Sequence, residues 1–116
     1  MHKVNNMESS KIRALTIKCL HEAVLEMMSF EWHEEVAKLP TAKRKKVSLL
    51  VLDCFNWKVK LENAQLEAIL AQLEENKEAL EAGTKKVNEA LKNLKQVKDV
   101  LDATSSLLNV VARVVV

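Results

Sequence analysis

The most constraining feature of this sequence is a series of ten apolar residues that recur every seven positions through its second half. A seven-residue repeat stays on one face of an α-helix only when that face packs against another helix, because supercoiling absorbs the mismatch with the ~3.6-residue turn. The series therefore predicts that the second half of the chain is helical and packed on helix. Its members are Leu52, Val59, Leu66, Leu73, Leu80, Val87, Leu94, Leu101, Leu108 and Val115.

The composition is typical of long helices joined by few loops. The 116 residues include one glycine, one proline and no tyrosine, and 48% of them are hydrophobic. A chain of this length can bury a core without disulfides or metal, so we expect a flexible tail at residues 1–8 and one domain at residues 9–116. The formal net charge of +2 is too small to require a polyanionic partner.

Periodicity and stop signals divide the domain into helices. Apolar residues spaced by three and four predict a first helix at about 10–38, which Pro40 ends because proline cannot continue the hydrogen-bond ladder. The following pattern predicts helices at about 42–81 and 85–114. The expected fold class is therefore all-α.

The single glycine, Gly83, predicts the position of a reversal between the second and third helices. A glycine in the left-handed conformation often closes a helix, and Thr84 is a suitable cap for the next one. We therefore expect an antiparallel three-helix bundle in which these two helices form a long coiled-coil-like hairpin. An antiparallel dimer that exchanges helices satisfies the same repeat.

No arrangement of residues in the sequence predicts catalysis. His21 and His33 are twelve residues apart, which is ~18 Å along one helix and too far to share a metal ion. Cys19 lies two residues from His21, so on a helix their side chains point in different directions. We expect no enzyme, metal, cofactor or small-molecule substrate. Cys19 and Cys54 are expected to be buried thiols, with a disulfide between the first two helices as the alternative.

The run Lys43-Arg44-Lys45-Lys46 is the most concentrated charge in the sequence. It lies where a helix begins, a position at which cations oppose the helix dipole. These four residues are candidates for binding phosphate groups, anionic lipid headgroups or an acidic protein. Nucleic acid is the less favoured partner, because no aromatic residues are interleaved to stack on bases.

Two apolar segments are candidate interfaces with a partner. One is the band that follows the basic run, where the sequence is apolar on more than one side of the helix, and the other is the valine-rich C-terminal run. The candidate residues are Trp32, Val47, Leu50, Val51, Phe55, Trp57, Leu107, Val111 and Val115.

These features predict a non-enzymatic helical interaction or assembly module that presents apolar helix faces to another copy or to another helical protein. The first alternative is a membrane-associated protein that inserts the run Leu107–Val116, with the basic run on the headgroups. The second alternative is binding of nucleic acid or an acidic partner through the basic run. The N-terminus lacks the apolar run of a secretory signal, so a cytoplasmic protein, peripheral to a membrane at most, is expected.

Overall fold

The computed structural model describes residues 6–115, which fold into an all-α structure, as the sequence predicts. Residues 1–5, most of the predicted tail, lie outside the described residues, and the first helix begins within that tail at Asn6. The helices are α1 (Asn6–Glu26), α2 (Phe30–Ala37), α3 (Thr41–Asn63), α4 (Leu66–Glu75), α5 (Lys77–Ala90) and α6 (Val97–Val115).

Helices α1 and α3 pack side by side in opposite directions. The Arg13 guanidinium donates a hydrogen bond of 2.6 Å to the carbonyl oxygen of Ala64, so the start of α1 lies at the end of α3. Further along, the Cys54 thiol lies 3.7 Å from the carbonyl oxygen of Leu20. The end of α1 therefore lies at the same end of the molecule as the start of α3.

Helix α5 lies along another side of α1 and runs parallel to it, and α4 also packs on α1. Glu8 and Lys77 form an ion pair between the first turns of α1 and α5, and the Cys19 thiol lies 3.8 Å from the carbonyl oxygen of Thr84. Helix α6 packs most extensively on α5 and also contacts α3 and α4. The result is an elongated bundle of 55 × 22 × 18 Å.

All six helices contribute to one hydrophobic core. Helix α6 has the most regular apolar face, because Val97, Val100, Leu107, Val111 and Val114 are all buried. The short α2 contributes Trp32, which is almost completely buried. The remaining large core residues include Leu20, Met27, Val47, Leu61, Leu73, Leu80 and Val87.

The predicted first helix at 10–38 is wrong in its middle, because the chain turns at residues 27–29. The Ser29 hydroxyl donates to the carbonyl oxygen of Glu26 at 2.7 Å and accepts from the backbone N–H of Trp32 at 3.2 Å. One serine thus serves the end of α1 and the N-cap of α2. The turn lets α2 place Trp32 in the core.

The predicted second helix at 42–81 is divided at two positions. Ala64 and Gln65 are extended, with ψ angles of 134° and 132°, and Arg13 binds the carbonyl that the break exposes. At Asn76 the side-chain amide donates to the carbonyl oxygen of Gln72 at 2.9 Å, which satisfies the end of α4 before α5 begins.

The predicted hairpin at Gly83 is also wrong, and with it the three-helix count. Gly83 lies inside α5 without a positive φ angle, and the chain reverses at residues 91–96. A Cβ atom at Gly83 would lie 3.0 Å from Cδ1 of Leu107. The glycine is therefore a point of close helix approach, where Leu107 would have to shift to admit a side chain.

The seven-residue series is buried only in part. Leu73, Leu80, Val87, Leu94 and Leu108 are in the core. Leu52 is exposed, because the core face of α3 carries another set of residues seven apart, namely Val47, Cys54 and Leu61. The break at Ala64 and Gln65 therefore changes which phase of the repeat faces the core.

Replacement of Gly83 by valine should destabilise the protein by ~1–3 kcal/mol through overpacking against Leu107. Helix propensity alone predicts the opposite sign, because valine is better than glycine in a helix by ~0.3 kcal/mol. Urea denaturation measures the change. The control is Ala82→Val on the exposed side of the same helix, which should cost only ~0.5 kcal/mol. A stabilised Gly83→Val variant would contradict the close approach.

The unequal burial of the seven-residue series predicts unequal effects of alanine substitution. Leu73→Ala should cost ~2–5 kcal/mol, because it leaves a cavity in the core. Leu52→Ala should change the free energy of unfolding by at most ~0.5 kcal/mol, because this side chain is half exposed. Equal losses in thermal or chemical denaturation would show that both positions belong to the core.

Candidate functional site

The basic run forms the first two turns of α3, and all four of its side chains are exposed. The Arg44 guanidinium donates a hydrogen bond of 2.9 Å to the Thr41 hydroxyl, which holds it along its own helix. Lys43 and Lys46 border a groove between α3 and α6. Lys45 lies four and seven residues before Leu49 and Leu52, a spacing that places it on their face of the helix. The helix thus divides the run between two surfaces.

The groove between the starts of α3 and α6 has an apolar floor and a charged rim. Its volume is about 400 Å³. The floor is formed by Leu39, Val97 and Leu101. The rim is formed by Lys43, Lys46, Lys98 and Asp102. The Lys98 ammonium lies 3.7 Å from a carboxylate oxygen of Asp102. The groove can therefore accept an apolar group accompanied by negative charge.

The second surface is the outer face of α3. Leu49, Leu52 and Phe55 are 52%, 54% and 47% exposed, and their spacing of three residues places them on one side of the helix. On the opposite side, Val47 and Cys54 are buried. Helix α3 therefore has two apolar faces, of which the bundle covers one.

Positive charge surrounds this outer face. Helix α3 carries six lysine or arginine residues and only two acidic residues, Asp53 and Glu62. The Lys58 ammonium lies 5.4 Å from the centre of the Phe55 ring and 3.3 Å from a carboxylate oxygen of Glu62. The Lys60 ammonium lies 4.4 Å from the centre of the Trp57 ring. The basic side chains of α3 that have no aromatic ring or carboxylate beside them in this way are concentrated at the start of the helix.

The structure corrects several predicted interface residues. Trp32, Val47, Leu107 and Val111 are buried and belong to the core, so none of them is available to a partner. The apolar side of the C-terminal run, as far as Val114, is covered because α6 packs against α5, α3 and α4. Four others are only partly buried and pack against the core: Leu50, Val51, Trp57 and Val115. Of the nine candidates, Phe55 alone is among the exposed large apolar residues.

A third apolar surface lies where α1 ends and α2 begins. Phe30 is 79% exposed, and Leu25 and Met28 are also exposed. The spacing of Phe30 and Trp32 predicts that one of the two rings faces away from the core, because residues two apart in a helix lie on different faces. The exposed ring is that of Phe30.

Among the described residues, the two cysteines are buried and the two histidines, His21 and His33, are exposed. Cys19 and Cys54 are free, buried thiols. Burial raises the pKa of each from 9.0 to about 12, with a smaller contribution from Glu22 at Cys19 and from Cys19 at Cys54. His33 is exposed, and its Nδ1 lies 2.8 Å from the carbonyl oxygen of Ser29. In the described part of the chain no three histidine, cysteine or acidic residues are grouped to hold a metal ion.

None of the helices within residues 6–115 has the length and hydropathy needed to cross a membrane. Comparison of the chain with known protein families, curated proteins and solved structures finds no match.

The raised pKa values of the two thiols predict a loss of stability at high pH. Above pH 9 the thiols ionise in the unfolded chain but stay protonated in the folded chain until about pH 12. The free energy of unfolding should therefore fall with pH in this window, by on the order of 1 kcal/mol per pH unit for each thiol. Urea denaturation at several pH values measures the slope.

The control for this slope is the double variant Cys19→Ala, Cys54→Ala, which removes both thiols and leaves every other side chain unchanged. Its stability should fall less steeply with pH than that of the parent protein. Parallel curves for the two proteins would contradict the protonated state of the buried thiols.

Proposed function

We propose that this chain is a non-enzymatic helical interaction module that presents the outer face of α3 to a helix of a partner protein. The observation that carries the proposal is the second apolar face of α3, formed by Leu49, Leu52 and Phe55 and left exposed by a bundle that already has a full core. Exposed apolar side chains grouped on one helix face are the usual anchors for helix-on-helix recognition.

The charge of α3 favours an acidic partner. Its six basic residues would repel a second α3, so pairing of two copies through this face is disfavoured. A partner helix with apolar residues at intervals of three and four, flanked by aspartate or glutamate, would match both the face and its border. Lys45 would then orient the acidic residues of the partner at the start of α3.

Burial of the three apolar side chains supplies the attraction. Each contributes ~1.5–3 kcal/mol when fully buried, and about half of that remains to be gained here because each is already half covered. The cost of ordering two molecules reduces this further. We therefore expect a reversible complex whose specificity comes from the basic border.

Association with an anionic membrane surface is a second candidate function. It is favoured by the same observation, an exposed apolar face on a basic helix. Insertion of the C-terminal run is not part of this candidate, because Leu107, Leu108, Val111 and Val114 are in the core. Binding of nucleic acid through the basic run is a weaker proposal, since Trp57 and Phe55 already stack with Lys60 and Lys58.

Selection from a displayed library of helical peptides tests the proposed function. Peptides that bind should carry apolar residues at intervals of three and four with acidic neighbours, and they should lose at least tenfold in affinity for the double variant Leu52→Ser, Phe55→Ser. The control is Met7→Ser, Leu15→Ser, which removes exposed apolar side chains from α1 instead and should bind as the parent does.

Two outcomes would contradict the partner-helix proposal. The first is that no peptide distinguishes the Leu52→Ser, Phe55→Ser variant from the parent. The second is that the parent binds anionic vesicles through this face while no peptide competes with the vesicles, which would favour the membrane candidate.

A further inference from the structure

The groove between α3 and α6 and the exposed corner at Phe30 lie at the same end of the bundle. The groove is formed where α3 and α6 begin. Because α1 and α3 are antiparallel, this is also the end where α1 finishes and α2 follows. It is separate from the outer face of α3, which runs along the side of the molecule.

Phe30 is held at this end as a projecting apolar side chain. Trp32 is buried and Ser29 caps the helix, so α2 has a fixed rotation about its axis. Its exposed residues are Phe30, Glu31, His33, Glu34 and Ala37, and Glu34 lies one turn after Phe30. The ring is 79% exposed, and two of the three carboxylates of this short helix, those of Glu31 and Glu34, are exposed with it.

The groove has the complementary character. Its floor is apolar, and Lys43 and Lys46 on its rim form no ion pair with any acid among residues 7–115. The one acid on the rim, Asp102, lies near Lys98. Glu31 and Glu34 likewise form no ion pair with a cation in the described part of the chain, so both sets of charges are available.

We propose that the groove receives Phe30 of a second copy of this chain, with Glu31 and Glu34 of that copy opposite Lys43 and Lys46. The ring contacts the floor formed by Leu39, Val97 and Leu101, and the carboxylates contact the lysine ammonium groups on the rim. This contact goes beyond the proposed function, because it uses a different surface and a different partner.

The position of both features at one end allows a closed dimer. With a twofold axis between the facing ends of two copies, Phe30 of each copy lies in the groove of the other. The dimer would join two bundles end to end and leave the outer face of α3 free on each. Two copies would thus present two partner-binding faces, a geometry that strengthens binding to a partner with two sites.

Charge exchange between the two halves of the contact tests the proposal. One variant carries Glu31→Lys and Glu34→Lys, and the other carries Lys43→Glu and Lys46→Glu. Sedimentation velocity and light scattering over a range of concentrations measure the mass of each variant, of the parent, and of the equimolar mixture of the two variants.

The measured mass of the parent protein should rise with concentration, from the 13.1 kDa of one chain towards twice that value. Each variant alone should stay monomeric, because both of its surfaces then carry charge of the same sign. The mixture should recover association, because the glutamates and lysines meet again across both contacts. Phe30→Ser should weaken self-association at least tenfold without a change in helical content.

Controls separate this contact from general charge effects and from the proposed function. Glu67→Lys with Glu75→Lys makes the same charge change on exposed positions of α4 and should associate as the parent does. Leu52→Ser with Phe55→Ser should also keep self-association, since it alters only the side of α3.

Three results would overturn the proposal. They are a parent that stays monomeric at every concentration, single variants that associate as the parent does, and a mixture that fails to associate although both variants are folded by circular dichroism. None of these alters the peptide-binding test of the outer face. A fourth result would also overturn it: self-association abolished by Leu52→Ser with Phe55→Ser would place the contact on the side of α3 instead.

Discussion

The close approach of α5 and α6 at Gly83 is the contact on which the arrangement of the bundle depends. The absence of a side chain at this position lets Leu107 pack directly on the backbone of α5. Leu107 lies in the middle of the buried face of α6, and that face also contacts α3 and α4. A displacement of α6 would therefore loosen its contacts with three helices and also widen the groove beside α3.

The consequence of this packing is that apolar surface is used unevenly along the chain. Helix α6 buries most of its apolar face, including Val111 and Val114 near its end. Helix α3 has more apolar surface than one side of a bundle can cover, so Leu49, Leu52 and Phe55 stay exposed. An exposed set of this kind has no role in the folded monomer, and for that reason it carries the proposal of a partner.

The sequence predicts the helical class and the end of a helix before Pro40, because these depend on local periodicity and local backbone chemistry. It does not predict the break at Ala64, since the exposed carbonyl there is bound by Arg13, 51 residues away. Gly83 is ambiguous for a similar reason. A glycine permits both a left-handed turn and a close helix contact, and only the position of α6 decides between them.

The candidate surfaces were predictable to a smaller extent than the fold. The seven-residue repeat identifies apolar faces but not which of them the bundle covers, so Val47 and Leu107 were expected at an interface although they are in the core. The predicted place of the basic run at the start of a helix is confirmed, but only the rotation of α3 shows which surface each of its side chains borders. That rotation places Lys43 and Lys46 at the groove with α6, while the seven-residue spacing places Lys45 with Leu52.

This division gives a physical reason for cations at a helix N-terminus, where the dipole disfavours them. Pro40 provides no side-chain cap, and Arg44 finds only the Thr41 hydroxyl, so the start of α3 is not optimised for stability. Lysines at this position border two different apolar surfaces at once, one at the end of the bundle and one on its side. The unfavourable interaction of these lysines with the helix dipole is thus offset if each surface meets acidic groups. The two proposed contacts supply such acidic groups independently.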